Sequence, residues 1–124
     1  MARPEEFLQQ RLSNYMLDDW SDIPFRVDLV DKLNNVTIGK KVKALHGKWS
    51  RGYPDMFIAT SRKGFGGLYL ELKATDTVVD SEHTRRQAKY HAVLRHNGYK
   101  VMFCCGFEEC VKKIKKYLKV KQKV

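Results

Sequence analysis

Between Pro4 and Trp20 the apolar positions Leu8, Leu12, Tyr15 and Met16 recur at three- and four-residue spacing, which predicts a helix with one buried face. Pro4 and Glu5 suit its first turn, and Ser21 to Pro24 ends it. From Phe25 to Leu33 two patterns compete: Phe25, Val27 and Leu29 alternate as in a strand, while Leu29, Val30 and Leu33 also fit a helix. Asn34 and Asn35 form a turn, and Ile38, Val42 and Leu45 predict a short helix with Lys40, Lys41 and Lys43 opposite, stopped by Gly47. Met56 to Ala59 and Leu68 to Leu72 read as buried strands, joined hairpin-fashion by Ser61 to Gly67. After a polar loop from Thr75 to His83, Thr84 to Asn97 reads as a helix, with Thr84 and Gln87 at capping-box spacing. Gln87, Tyr90, His91 and Leu94 form its inward face, and Gly98 terminates it. Tyr99 to Cys105 is a third core strand, and Phe107, Cys110 or Val111, Ile114, Tyr117 and Leu118 describe a closing amphipathic helix.

This order predicts an α/β fold: a small mixed sheet flanked by helices, with Leu68 to Lys73 and Tyr99 to Cys105 as parallel strands at its middle, joined by a right-handed crossover. The 124 residues, 43% of them hydrophobic, suffice for one core, so residues 1–124 are expected to form a single domain. No run approaches the roughly 18 apolar residues that span a bilayer, and Arg3, Pro4, Glu5 and Glu6 stand where an export signal would be apolar. A cytoplasmic protein without membrane contact is expected. Three cysteines without ligand-like spacing argue against a disulfide framework or a zinc site, so Cys104, Cys105 and Cys110 are read as small buried hydrophobes. His46, His83, His91 and His96 are too scattered for a metal cluster, and only His83 is considered as a substrate contact.

A formal net charge of +10 makes a polyanion the default partner, without deciding between enzyme and binding protein. The chemical signal comes from two acids in apolar surroundings: Asp55 directly precedes Met56-Phe57-Ile58, and Glu71 lies inside Leu68-Tyr69-Leu70-Glu71-Leu72. Burying a carboxylate there is costly unless cations or hydrogen bonds compensate it, and a divalent metal would do so. Strand alternation sends Glu71 and Lys73 to one face, and pairing with the preceding strand brings Asp55 toward Glu71. Oxygen ligands of this kind suit Mg²⁺, or Mn²⁺ in its place. The plainer alternative is an edge-strand salt bridge between Glu71 and Lys73, with Asp55 capping a turn after Pro54.

The chain resembles the VRR-NUC family, the virus-type replication-repair nucleases of the PD-(D/E)xK superfamily. The resemblance rests on Arg51-Gly52-Tyr53-Pro54-Asp55 before a strand, Gly67-Leu68-Tyr69-Leu70-Glu71-Leu72-Lys73, Thr84 to Gln87 opening a helix, and Gly98-Tyr99-Lys100-Val101, covering roughly residues 46–120. It implies a restriction-endonuclease-like core and phosphodiester hydrolysis. It also implies a first-helix glutamate in the site, for which Glu5, with Leu8 and Gln9 behind it, fits better than Glu6, and it places Gln87 in the site. For Glu5 the alternative is a solvated helix start; for Gln87 it is an ordinary capping residue. The segment 25–45 departs from the family pattern and reads as a lineage-specific insert or a dimer surface.

On this reading Asp55 and Glu71, with the Leu72 carbonyl, hold Mg²⁺, and Lys73 orients the attacking water or stabilises the transition state. With an ordinary pKa of about 10, Lys73 is a poor base, which favours the electrostatic role. Lys48, Arg51, Arg62, Lys63, Arg85, Arg86 and Lys89 are the expected phosphate contacts, which position DNA without reading sequence. Seven lysines and no acid between Lys112 and Lys123 fit a docked helix with lysines outward, either for DNA or simply for solubility. Because stand-alone members of the family are often homodimers that cut branched DNA, the resemblance implies a structure-selective endonuclease for substrates such as four-way junctions. A flap or linear-duplex nuclease of the same fold, and a non-catalytic nucleic-acid-binding module, are the alternatives.

Overall fold

The structure is a computed structural model and describes residues 4–27, 54–73 and 82–119. Their elements, in chain order, are α1 (Pro4–Asp19), β1 (Phe25–Val27), β2 (Met56–Ile58), β3 (Leu68–Lys73), α2 (Glu82–His96), β4 (Lys100–Cys105) and α3 (Phe107–Leu118). The short helix expected around Ile38 to Leu45, Lys48, Arg51 and the loop 75–81 lie outside the described residues. None of the described helices is long and apolar enough to cross a membrane.

The four strands form one mixed sheet in the order β1-β2-β3-β4, antiparallel except for the parallel pair β3 and β4. Phe25–Val27 is thus a strand of the sheet, paired with β2, and residues 28–45 of the segment read as an insert lie outside the described residues. Between β2 and β3 the chain reverses through Lys63 (φ 53°) and Gly64 (φ 85°), with Arg62 and Phe65 exchanging backbone hydrogen bonds across them. Two consecutive positive φ values define the turn whose twist matches that of the flanking strands.

Strand alternation divides the sheet into two faces. Leu68, Leu70 and Leu72 join Met56, Ile58 and Cys104 in the main core, which α1 closes with Leu8, Leu12 and Met16 and α3 with Cys110, Ile114, Tyr117 and Leu118. On the other face Tyr69 stacks on Phe57 at 4.4 Å between ring centroids, and Tyr99 meets both rings edge-on. Gly67 is required there, because a Cβ would lie 2.6 Å from Phe57 Cε1 and 3.0 Å from the Ile58 carbonyl oxygen. The helix α2 covers the β4 side of this second face, its His91 ring 4.8 Å from that of Phe103.

Three expectations need correction. First, β4 is at the edge of the described sheet rather than its middle. Three of its outward backbone groups are held by side chains: Arg95 donates to the Val101 carbonyl at 2.9 Å, Lys113 donates to the Phe103 carbonyl at 2.6 Å, and Glu109 accepts the Cys105 N–H. Those two contacts, from Cys105 N–H and Lys113, hold the Glu109 carboxyl below its ordinary pKa. Second, α2 begins at Glu82, so Thr84 lies inside the helix and Gln87 is past the capping position. The other end is as expected: Gly98 (φ 93°) donates to the Arg95 carbonyl and Tyr99 to that of Leu94, the paired bonds of a Schellman stop. Third, Cys104 and Cys110 form a disulfide. Gly106, at φ 78°, turns the chain from β4 directly into α3, and this brings their Cα atoms to 5.3 Å, a proximity that their spacing alone does not reveal.

Candidate functional site

The site lies where β2 and β3 stop pairing. Met56 faces Leu70, so carrying the register back by one residue sets Asp55 against Glu71, and by two sets Pro54 against Leu72. The Lys73 carbonyl points toward β4, where it accepts the Gly106 N–H at 2.9 Å; Leu72, one residue earlier, therefore turns its backbone groups toward β2. Pro54 has no N–H to offer the Leu72 carbonyl. The Leu72 N–H in turn is taken by the side chain of Asp55, at 2.9 Å from Oδ2. The Pro54-Asp55 doublet thus ends the ladder and binds the Asp55 carboxylate to the backbone next to Glu71.

Glu71 is only 2% exposed, on a strand otherwise apolar up to Lys73. Asp55, Glu71 and the Leu72 carbonyl supply three hard oxygen donors at one corner of the sheet, a set that fits Mg²⁺ or Mn²⁺. Among the described residues no three His, Cys, Asp or Glu side chains gather as a metal site. The backbone of Glu5 and Glu6 belongs to the first turn of α1, but their side chains lie outside the described residues, as does that of His83.

Lys73 points to the same face as Glu71, and its Nζ donates to Gln87 Oε1 at 3.4 Å. Gln87, 5% exposed, reaches it from α2. The structure therefore brings together Asp55, Glu71, Lys73 and Gln87, and to these it adds His91, one helical turn beyond Gln87. Its Nε2 lies 3.9 Å from Glu71 Oε1, outside hydrogen-bond range. Burial, then the positive charge of Arg95, lowers the His91 pKa to about 4, with Asp55 pulling upward and Lys73 downward. The ring is neutral at pH 7, so its approach to Glu71 is not an ion pair. His91 was read from the sequence only as an inward-facing residue; the available signal was its position four residues after Gln87 on one helical face.

The basic residues divide into two groups. Arg85 and Lys89 are exposed and Arg86 half-buried, all on the helix that carries Gln87. Arg62 and Lys63 sit at the hairpin turn, at the opposite end of β2 and β3 from Asp55 and Glu71. The four steps from Gly67 to Glu71 alone span about 13 Å of strand. Arg62 is engaged in the fold, donating to Thr60 Oγ1 at 3.0 Å, to the Ser61 carbonyl at 2.8 Å and to the Leu118 carbonyl at 3.3 Å, near the end of α3. On α3 itself Lys112, Lys115 and Lys116 are exposed opposite the buried stripe, as is Lys119 just after it, on the far side of the sheet from Glu71 and Lys73.

A solved structure described as a VRR_NUC domain protein superimposes on 98% of this chain and 93% of its own, with a TM-score of 0.66. The chain has the VRR_NUC fold. At 18% sequence identity the likeness is one of architecture. No family model matches the sequence, and no curated protein does. The VRR_NUC fold agrees with the α/β arrangement expected from the pattern of elements, and Asp55, Glu71 and Lys73 come together on it through geometry established independently of the likeness.

Proposed function

We propose that this protein is a metal-dependent nuclease that hydrolyses phosphodiester bonds in DNA. The carrying observation is the broken ladder at Pro54-Asp55, which gathers two carboxylates and a backbone carbonyl beside a lysine held by Gln87. A binding module has no use for a buried acid there, whereas a hydrolase does. The resemblance of the motifs and the VRR_NUC fold support the same reading.

When bound, Mg²⁺ supplies Lewis-acid polarisation of a phosphate oxygen and lowers the pKa of a coordinated water. Asp55, Glu71 and the Leu72 carbonyl would hold it. Asp55 is oriented for this by the Leu72 N–H, which fixes one carboxylate oxygen and leaves the other to the site. Lys73 places an ammonium beside the scissile phosphate, where it offsets charge that builds up in the transition state. Gln87 accepts from that ammonium and so limits the positions it can take. Arg85, Arg86 and Lys89 lie along the approach over α2 and would contact the phosphate backbone.

We further read the enzyme as an endonuclease selective for branched DNA and acting as a homodimer, since no base-reading motif is present and the resemblance points to junction substrates. Incubating the purified protein with four-way junction, flap and linear duplex, with Mg²⁺ or with EDTA, tests both levels. Metal-dependent cleavage strongest on the junction is expected, and Lys73→Ala should reduce it by about 10²- to 10³-fold with binding retained. Cleavage by Lys73→Ala at the wild-type rate would refute the site, and equal cleavage of all substrates would refute the selectivity.

A further inference from the structure

We propose that His91 is a positioning residue whose ring N–H holds the Glu71 carboxylate in the orientation that grips the divalent cation. The inference rests on the nuclease reading above and adds a residue to it. His91 is fully buried, and among the described residues neither ring nitrogen has a hydrogen-bond partner. A buried donor left unsatisfied is destabilising, and an apolar residue of similar size would fill this space between α2 and β4 without that penalty. The polar atoms of His91 therefore call for a role outside packing. Nε2 already faces Glu71 Oε1 at 3.9 Å, and an approach of about 1 Å makes the hydrogen bond. The ring is held for that approach by its contact with Phe103 and by its place on α2, one turn beyond Gln87. A neutral imidazole carries one N–H, so in the Nε2–H tautomer it donates to the carboxylate without neutralising it. Glu71 then keeps its charge for the metal while losing rotational freedom, which is how groups behind a ligand raise metal affinity.

The test measures Mn²⁺ binding to the metal-free full-length chain by calorimetry, beside urea unfolding, for wild type, His91→Phe and His91→Gln. Phenylalanine keeps the packing and removes the donor, whereas glutamine can place an N–H near the Nε2 position. His91→Phe is expected to lose about 10- to 100-fold in Mn²⁺ affinity while remaining folded, and His91→Gln to recover most of it. Should His91→Phe fail to fold, His91→Met takes its place as the variant without a donor. Wild-type affinity in the donorless variant overturns the inference, as does a folded His91→Gln no better than His91→Phe, because the ring and not its N–H would then matter. A wild-type chain that binds no Mn²⁺ overturns the nuclease reading itself, and this inference with it.

Discussion

Acidification of the metal-free protein should remove stability through His91, and the size of the effect follows from its burial. In the unfolded chain the imidazole titrates near 6.5; in the folded protein its pKa is lowered to about 4. Above pH 6.5 both states are neutral and the group is silent. As pH falls from 6.5 toward 4 the unfolded chain takes up a proton that the folded one refuses, so stability declines through that window and levels off below it. Between pH 7 and pH 5 the loss amounts to about 2 kcal/mol, with a limit of about 3 kcal/mol. The groups facing the ring set this balance: Arg95 from α2 and Lys73 from β3 oppose protonation, Asp55 favours it, and Glu71 and Phe103 adjoin it. Urea unfolding followed by the fluorescence of Trp20 and Trp49 at pH 7, 6 and 5, with EDTA present, measures the decline. Other acids titrate too, so the informative quantity is the difference from His91→Phe, which lacks the titration. That difference should shift by about 2 kcal/mol in favour of the variant at pH 5. Parallel stability curves for the two proteins would refute the reasoning.

Asp55→Asn keeps an acceptor for the Leu72 N–H but removes the charge, so Mn²⁺ affinity should fall with little change in stability; Asp55→Ala should in addition lose about 1–3 kcal/mol by orphaning that N–H, as urea unfolding would show. Gly67→Ala should destabilise the fold by about 1–3 kcal/mol, since its Cβ would collide with the Phe57 ring and the Ile58 carbonyl, and a thermal melt equal to wild type would contradict that packing. Lys89→Gln should weaken DNA binding and reduce the salt dependence of log K by about one, whereas Lys63→Gln, at the far hairpin turn, should leave the cleavage rate unchanged.

Periodicity made the elements legible because each buries a face against its neighbours, and the acids at Asp55 and Glu71 stood out by interrupting apolar runs. What escaped the sequence was decided by distant partners. Arg62, expected as a phosphate contact, also donates to the Leu118 carbonyl at the end of α3, a contact that no local pattern shows. Cys104 and Cys110 looked like ordinary core residues, since the direct turn from strand to helix at Gly106 cannot be read from cysteine spacing. The capping signal at Thr84 and Gln87 matched a motif that the earlier start at Glu82 overrides, and Gln87 instead meets Lys73. For His91, the sequence revealed the inward face but not that Glu71 lies against it.

The edge of the sheet bears on how two copies could meet. An open edge strand offers unpaired N–H and C=O groups that another chain can extend by pairing. On β4 the Val101 and Phe103 carbonyls and the Cys105 N–H already have partners in Arg95, Lys113 and Glu109, contributed by the helices on either side. Pairing a second β4 there would require breaking these contacts, two of which place a cation on a backbone oxygen and one a carboxylate on a backbone N–H, the stronger class of hydrogen bond. We propose that a homodimer of this chain uses surfaces other than the β4 edge, and replacing Arg95, Glu109 and Lys113 by alanine, which uncovers that edge, should leave the dimer dissociation constant measured by sedimentation unchanged. A dimer paired through β4 would have to displace those contacts, so a dimer that tightens when they are removed would place the interface on the β4 edge and refute this reasoning.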